Sequence, residues 1–271
     1  MLRSLFRRPA PPPAASEPSI AGQPARVPPG VCVYAVGDVH GRADLLVALH
    51  ELIAADAAQL TPGTERIVVY VGDYVDRGLE SRQVIDLLIA NPLPDFRRVH
   101  LLGNHDAWLL GFLVDPRIGP TWLRYGGDVT VHSYGVRVGL PVDDPRYYAQ
   151  LQEALRAMVP REHVDFLQGL ELSFETGDYL FVHAGVRPGV SLDQQTAEDL
   201  LWIREPFLSY RYEFGKVVVH GHTVESEPVV RPNRIGIDTG ACWTGCLTCL
   251  VLEEGTRRFL STGAPPETIG P

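Results

Sequence analysis

Short apolar runs that end abruptly in polar, glycine-rich clusters are the feature that most constrains how this chain folds. Residues 31–36, 67–71 and 99–102 are three such runs. The clusters that follow them are Gly37-Asp38-Val39-His40-Gly41, Gly72-Asp73-Tyr74-Val75-Asp76-Arg77-Gly78 and Gly103-Asn104-His105-Asp106. A short continuous apolar run bounded by such residues is typical of a strand buried on both faces.

Helical patterns separate the three predicted strands. Apolar residues between Leu45 and Ile53 recur on one helix face, and residues 81–90 and the region near Trp108 predict two more helices. A strand, a loop and a helix repeated three times indicate parallel strands joined by helical crossovers. We therefore predict an α/β fold.

The pattern changes in the second half of the chain. Residues 111–145 contain Gly126-Gly127 and several prolines, which predicts a cap-like insertion or loop region beside the site. Helices are predicted at 147–159, 161–168 and 196–203, and strands at 170–175, 179–183, 216–219, 234–237 and 247–252. The hairpin-like spacing of these strands favours antiparallel pairs.

The two ends of the chain differ from its middle. Residues 1–30 are rich in proline, alanine and arginine, which predicts a disordered tail before a catalytic domain at 31–262 and a C-terminal tail at 263–271. The basic first residues lack a secretory signal and are too short for a firm membrane anchor. No apolar run is long enough to span a bilayer, so we expect a cytoplasmic protein.

Charge and cysteine content exclude some classes of function. The formal net charge is -9, which disfavours nucleic acid as a partner. Cys242, Cys246 and Cys249 are clustered, but a fourth ligand for a zinc site is not obvious. We favour the interpretation that they are small residues of a buried strand, and that the compartment is reducing.

Two later strands also end in polar residues, at His183-Ala184-Gly185 and His220-Gly221-His222-Thr223. Because the carboxyl ends of parallel strands gather at one edge of a sheet, all five clusters are expected to converge. The candidate metal ligands are Asp38, His40, Asp73, Asn104, His183 and His220. These oxygen and nitrogen donors suit manganese, iron or zinc, and six are too many for one catalytic ion with open positions. Two metals bridged by one carboxylate fit better.

Each cluster alone has a simpler explanation. A single Gly-Asp-x-His-Gly can be a turn, a single histidine can be a satisfied core residue, and Arg77 can be a surface charge. Five clusters after five strands are harder to explain by packing, because buried acids without partners are costly.

The motifs in this order resemble those of the phosphoprotein phosphatases, the metal-dependent serine/threonine phosphatase branch of the calcineurin-like metallophosphoesterases. The resemblance covers about residues 31–252. Residues 200–204, Leu-Leu-Trp-Ile-Arg, are more similar to the bacterial and phage-type members. The resemblance implies a sandwich of two mixed β-sheets flanked by α-helices.

The resemblance also implies a role for each site residue. Asp38 and His40 would bind the first metal, Asp73 would bridge, and Asn104, His183 and His220 would bind the second metal. His105 would be the general acid, oriented by Asp76. Arg77 and Arg204 would bind the phosphate oxygens.

The implied activity is hydrolysis of phosphate monoesters by a metal-bridging hydroxide, with Mn²⁺ as the first choice of metal and iron or zinc as alternatives. The leading substrate is phosphoserine or phosphothreonine in a protein, followed by phosphotyrosine. A dinucleoside polyphosphate hydrolase of the same superfamily is the main alternative, although that branch typically has alanine where Asp76 stands. A non-catalytic scaffold is disfavoured, because such a chain should lack some of the ligands.

Overall fold

Strands and helices alternate between residues 31 and 114, helical elements alone follow up to residue 168, and most of the later elements are strands. The computed structural model describes residues 19–20 and 22–263. The strands in these ranges are β1 (Ser19–Ile20), β2 (Gln23–Pro24), β3 (Val31–Val36), β4 (Glu65–Tyr70), β5 (Arg97–His100), β6 (Ser173–Thr176), β7 (Tyr179–Val182), β8 (Val217–His220), β9 (Val229–Val230), β10 (Arg234–Gly236), β11 (Thr248–Glu253) and β12 (Thr256–Ser261). The α-helices are α1 (Ala43–Ala57), α2 (Ser81–Ala90), α3 (Asn104–Val114), α4 (Gly119–Trp122), α5 (Asp128–Ser133), α6 (Tyr147–Met158), α7 (Arg161–Gln168), α8 (Ala197–Trp202) and α9 (Ala241–Thr244).

The first large sheet has its strands in the order β12-β11-β3-β4-β5. The strands β3, β4 and β5 are parallel, and Val69 of β4 lies opposite Ala35 of β3 and Val99 of β5. Helix α1 joins β3 to β4 and α2 joins β4 to β5. The predicted repeat of strand, loop and helix with parallel strands is therefore confirmed.

The second large sheet has the order β6-β7-β8-β10-β9. Its outer pairs, β6 with β7 and β9 with β10, are antiparallel, whereas β8 is parallel to both β7 and β10. The predicted antiparallel pairing is thus wrong for the three central strands. The connection from β7 to β8 contains α8, so it is a crossover of the length that parallel neighbours require.

The two sheets face each other across an apolar layer. Successive side chains of β3 alternate: Val33 and Ala35 pack in this layer, whereas Tyr34 and Val36 pack with residues of α1 and α2. Burial on both faces explains why the strand is a continuous apolar run. The predicted α/β sandwich of two mixed sheets flanked by helices is confirmed.

Phe181 of β7 lies in the layer between the sheets and is fully buried. We expect Phe181→Ala to lower the free energy of unfolding by about 3–5 kcal/mol, because the cavity cannot collapse between two sheets. Denaturant titration followed by circular dichroism measures the change. Val142, which is 60% exposed, provides the control; Val142→Ala should change stability by less than about 0.5 kcal/mol. Equal effects of the two variants would contradict the assigned core.

The segment 111–145 is mostly helical up to residue 133. It contains the end of α3, short helical turns at Pro116–Ile118 and Leu123–Gly127, and the helices α4 and α5. Trp122 of α4 is fully buried against Phe112 of α3, with ring centroids 5.0 Å apart. This part of the segment packs on α2 and α3 and forms one wall of the site described below.

Residues before Val31 add to the core. Ala25 and Val27 are buried in the apolar layer, and the Val27 N–H donates to the carbonyl of Glu254 at 2.9 Å. The predicted domain start at residue 31 is therefore too late, because two apolar residues of the proline-rich segment are packed. Residues 1–18, 21 and 264–271, which include most of both predicted tails, lie outside the described residues.

The cysteines are only partly where the sequence predicted them. Cys249 is buried in β11, as expected for a small residue of a buried strand. Cys242 lies in α9 and Cys246 follows it in a turn, and both are half-buried, so the prediction is wrong for these two. All four cysteines of the chain are free thiols.

Candidate active site

Five polar loops meet at the carboxyl ends of β3, β4, β5, β7 and β8. Their acidic, amide and imidazole side chains are almost completely buried. Non-glycine residues with positive φ concentrate here: His40, Asp73, Asp76, Arg77 and His222. Such backbone is costly for residues with a Cβ and persists where tertiary contacts hold it. The loops are therefore shaped by their mutual packing.

Asp73 is the common member of two clusters of metal-ligating side chains. One cluster contains Asp73 with His40 and His105, and the other contains Asp73 with His183 and His222. The Asp73 Oδ2 atom lies 3.5 Å from the Nε2 atoms of both His40 and His183. Its Oδ1 atom accepts the His105 backbone N–H at 2.9 Å, which fixes the carboxylate between the clusters.

Asn104 joins the second cluster. Its Oδ1 atom is 2.8 Å from His183 Nε2 and 2.8 Å from His222 Nδ1. The His183 Nδ1–H donates to the carbonyl of Val71, and burial lowers the pKa of His183, so Nε2 carries a lone pair. Two acceptor atoms, one nitrogen and one amide oxygen, thus face each other, which is the arrangement that a cation requires.

Asp38 lies at the edge of this centre rather than inside either cluster. Its Oδ2 atom accepts the His222 backbone N–H at 2.9 Å, whereas its buried Oδ1 atom has no hydrogen-bond partner in the described part of the chain. Burial raises the pKa of Asp38, and the carboxylates of Asp238 and Asp73 raise it further. A Cβ at Gly221 would collide with Asp38 Oδ1, so only glycine fits there.

The structure does not bring His220 into the centre. As the last residue of β8, it contacts the carbonyl of Gly221 through Nδ1 at 3.0 Å and Arg234 through Nε2 at 3.2 Å. Its ring packs on Phe207, with centroids 5.0 Å apart. His222 occupies the position that the sequence assigned to His220, because the chain turns at Gly221 and directs the next side chain inward.

His105 and Asp76 form a buried pair. The His105 Nδ1–H donates to Asp76 Oδ2 at 2.7 Å, and both side chains are almost fully buried. Burial lowers the pKa of His105, but the carboxylates of Asp73 and Asp76 outweigh it and leave the pKa above its usual value. Trp122 Nε1–H at 2.9 Å and the Thr130 hydroxyl at 2.7 Å also donate to Asp76, so the segment 111–145 helps to fix this carboxylate.

Arg77 reaches into the centre from the loop after β4. Its guanidinium donates to His40 Nε2 at 2.6 Å and to His105 Nε2 at 2.9 Å, and it lies 4.8 Å from the ring centroid of Trp243. Arg204 lies on the other side, exposed, and donates to the His222 carbonyl at 3.3 Å. The two predicted phosphate-binding arginines therefore approach the centre from different loops.

Three buried residues of the site were missed or left without a role by the sequence prediction: Asp106, His222 and Asp238. Asp106 accepts backbone N–H groups from Gly103, Asp73 and Tyr74 and ties the second and third loops together. Asp106 and His222 lie inside two of the polar clusters that predicted the site, 103–106 and 220–223. The sequence therefore showed that both residues belong to the site loops. For Asp238, which follows β10, the sequence feature that could have placed it in the site was its position directly after a predicted strand.

The donor set fits divalent cations. It has carboxylate, imidazole and amide donors and no thiolate, a combination suited to manganese, iron or zinc. Burial lowers the pKa of His40 to about 3 and that of His222 to about 2, so both imidazoles are neutral and able to bind metal. Neutral imidazoles do not offset the charge of the buried carboxylates, and within residues 22–263 His222 Nε2 has no hydrogen-bond partner. Cations at the two clusters would satisfy these groups.

This sandwich, with two histidine clusters around a shared aspartate and arginines beside them, defines a metal-dependent phosphoesterase. Residues 33–244 match the calcineurin-like phosphoesterase family, and the chain belongs to that family. The predicted resemblance is confirmed. The family uses a binuclear metal centre, in agreement with the two clusters around Asp73.

Relatives with different activities resemble the chain. The asymmetrical bis(5'-nucleosyl)-tetraphosphatase PrpE of Geobacillus thermodenitrificans is 26% identical over 250 residues, which are 85% of this chain and 94% of the relative. Serine/threonine-protein phosphatase 2 of Escherichia coli is 28% identical over 226 residues, 80% of this chain and 90% of the relative. A crystal structure assigned provisionally as a diadenosine tetraphosphatase covers 88% of this chain and 98% of its own, with a TM-score of 0.60 and 21% identity. This structural likeness shows the fold alone.

In the part of the chain that the structure describes, no helix combines the length and the apolar character needed to cross a membrane.

Proposed function

We propose that this protein hydrolyses phosphate monoesters of phosphorylated protein side chains with two divalent cations, Mn²⁺ first. The observation that carries the proposal is the position of His105, which is paired with Asp76 and lies in contact range of the Asp73 carboxylate shared by the two clusters. A proton donor beside a two-metal centre is what cleavage of an ester with a poor leaving group needs. The cytoplasmic location stays a prediction.

Two sets of residues would hold the cations. His40 and Asp73 are on one side, and Asp73, Asn104, His183 and His222 are on the other, with Asp73 common to both. Asp38, at the edge of the centre, would complete the first set through its Oδ1 atom. When bound, the pair of cations would lower the pKa of a water molecule and neutralise the phosphate oxygens. Asp38 Oδ1 and His222 Nε2, which have no hydrogen-bond partner among the described residues, are available for this role.

Arg77 and His105 would act on opposite ends of the ester. Arg77 donates to the Nε2 atoms of His40 and His105. His40 would bind a metal through this atom, and His105 would deliver a proton from it. The Arg77 guanidinium must therefore turn away before either role is possible. The oxygens of a phosphate dianion can accept the Arg77 hydrogen bonds in place of the two imidazoles, and they suit a bidentate arginine contact. His105, with Nδ1 held by Asp76, could then protonate the leaving oxygen through Nε2.

A dinucleoside polyphosphate hydrolase is the second candidate, because one similar relative carries that name. Cleavage between phosphates releases a nucleotide anion, which is a good leaving group and has little need of a proton. The alkoxide of a serine side chain, and to a smaller extent the phenoxide of a tyrosine side chain, is a poorer leaving group and gains from the proton. The buried Asp76–His105 pair therefore supports the monoester more than the polyphosphate.

A substrate panel tests the proposal. The full chain is loaded with Mn²⁺ and offered a phosphoserine peptide, a phosphotyrosine peptide of otherwise identical sequence, and diadenosine tetraphosphate, with metal-stripped protein as the blank. We expect metal-dependent release of inorganic phosphate from at least one peptide, at a higher kcat/KM than cleavage of the dinucleotide. Turnover of the dinucleotide alone would overturn the proposal in favour of the second candidate.

A further inference from the structure

Three aromatic rings from separate elements form a wall beside the His105 side of the centre. Trp108 of α3 stacks on Tyr125 with centroids 5.3 Å apart and planes 28° apart, and it contacts Trp202 of α8 at 4.7 Å. We call Trp108, Tyr125 and Trp202 the aromatic wall. None of these three residues was assigned a role above as a metal ligand or as the general acid.

The wall touches both ends of the reacting centre. The Trp108 ring lies edge-on to His105, with centroids 5.2 Å apart, and the Trp202 ring lies edge-on to His222 at 6.4 Å. Tyr125 is 53% exposed, although it lies in the short helical turn that follows the buried Trp122. An exposed aromatic surface that continues into a polar buried centre is the usual form of a ligand site.

We infer that the aromatic wall binds the leaving group of an aryl phosphate, with phosphotyrosine in a peptide as its substrate; the inference rests on the proposed monoesterase activity. In an aryl phosphate the ester oxygen is bonded directly to the ring. Once His105 Nε2 faces that oxygen, the ring must lie next to the His105 imidazole, where Trp108 is found. Ring pairs at these separations attract each other in edge-to-face or offset arrangements.

Other leaving groups fit the wall less well. The side chain of phosphoserine or phosphothreonine has only one carbon between the oxygen and the backbone and gives the three rings little to contact. In a nucleotide, the sugar separates the base from the phosphate, which moves the planar group away from His105. The wall therefore favours phosphotyrosine over the phosphoserine and phosphothreonine that the sequence prediction placed first.

Tyr125→Ala tests the inference, because this exposed side chain can be removed with little risk to folding. With the Mn²⁺-loaded full chain, we expect kcat/KM for the phosphotyrosine peptide to fall about five- to tenfold, while that for the matched phosphoserine peptide stays within about twofold. Tyr125→Phe keeps the ring and should restore the wild-type preference. Tyr212, which is 74% exposed and lies beside Tyr210, gives the matched control: Tyr212→Ala should change neither value.

The outcomes separate this inference from the proposed function. If the wild-type protein hydrolyses the peptides but Tyr125→Ala lowers both values equally, or neither, the wall does not select the aryl group and the monoesterase activity stands. If Tyr125→Ala lowers only the turnover of diadenosine tetraphosphate, the wall holds a nucleobase and the inference is overturned. If the wild-type protein hydrolyses no monoester, the proposed function fails and the inference falls with it.

Discussion

Asp73→Asn is expected to remove most of the bound metal and to lower phosphatase kcat/KM by about 10³-fold or more, since metal ions contribute several kcal/mol to such reactions. Asp73 is the only residue common to both clusters among the described residues, and its Oδ2 atom lies 3.5 Å from an imidazole of each. An amide keeps the shape of the side chain and can still accept the His105 N–H through Oδ1. What it loses is the negative charge that both cations would share.

Metal analysis of the purified variant after loading with Mn²⁺ is the direct measurement. We expect close to two metal ions per chain for the wild-type protein and well below one for Asp73→Asn, with an unchanged circular dichroism spectrum. Asp165, which pairs with Arg161 on the surface, supplies the matched control, and Asp165→Asn should keep both metals and full activity. A fully loaded Asp73→Asn would disprove the bridging role.

The parallel strands β3, β4 and β5 of the first sheet could be predicted from the sequence because two signals agreed there. Strands β3 and β4 are buried on both faces and are therefore continuous apolar runs, and a helical periodicity follows each of them. Strand β12, at the edge of the same sheet, is partly exposed and was not predicted. The second sheet lacked that agreement. Its strands are short, and the connection from β7 to β8 contains both turn residues and the short helix α8, so hairpin and crossover could not be distinguished by spacing.

The site could be predicted as far as the residue types and their loops. The exchange of His220 and His222 shows where sequence spacing fails. Both histidines follow the same apolar run, and only the turn at Gly221 with the positive φ of His222 decides which ring reaches Asn104. The donors to Asp76 came from Trp122 and Thr130, whose distance of more than 40 residues along the chain hides their proximity.

His105→Asn is expected to lower kcat by about 10²–10⁴-fold while both metals are retained, as for the loss of a general acid. The experiment decides between two roles, because His105 is within reach of Asp73 and could in principle serve as a ligand. The contact with Asp76 argues for the acid: Nδ1 is committed to that carboxylate at 2.7 Å, and the two carboxylates nearby keep the imidazole protonated to higher pH.

The dependence on the leaving group makes this test specific. A phosphoserine peptide releases a poor leaving group, so its kcat should fall by the full factor of about 10²–10⁴ in His105→Asn. Para-nitrophenyl phosphate releases a stable anion that needs no proton. The decrease in its kcat should therefore be at least about tenfold smaller than the decrease for the phosphoserine peptide. His132, an exposed histidine of α5, gives the matched control, and His132→Asn should behave as the wild-type protein. Loss of metal, or equal losses for both substrates, would mean that His105 is a ligand rather than the acid.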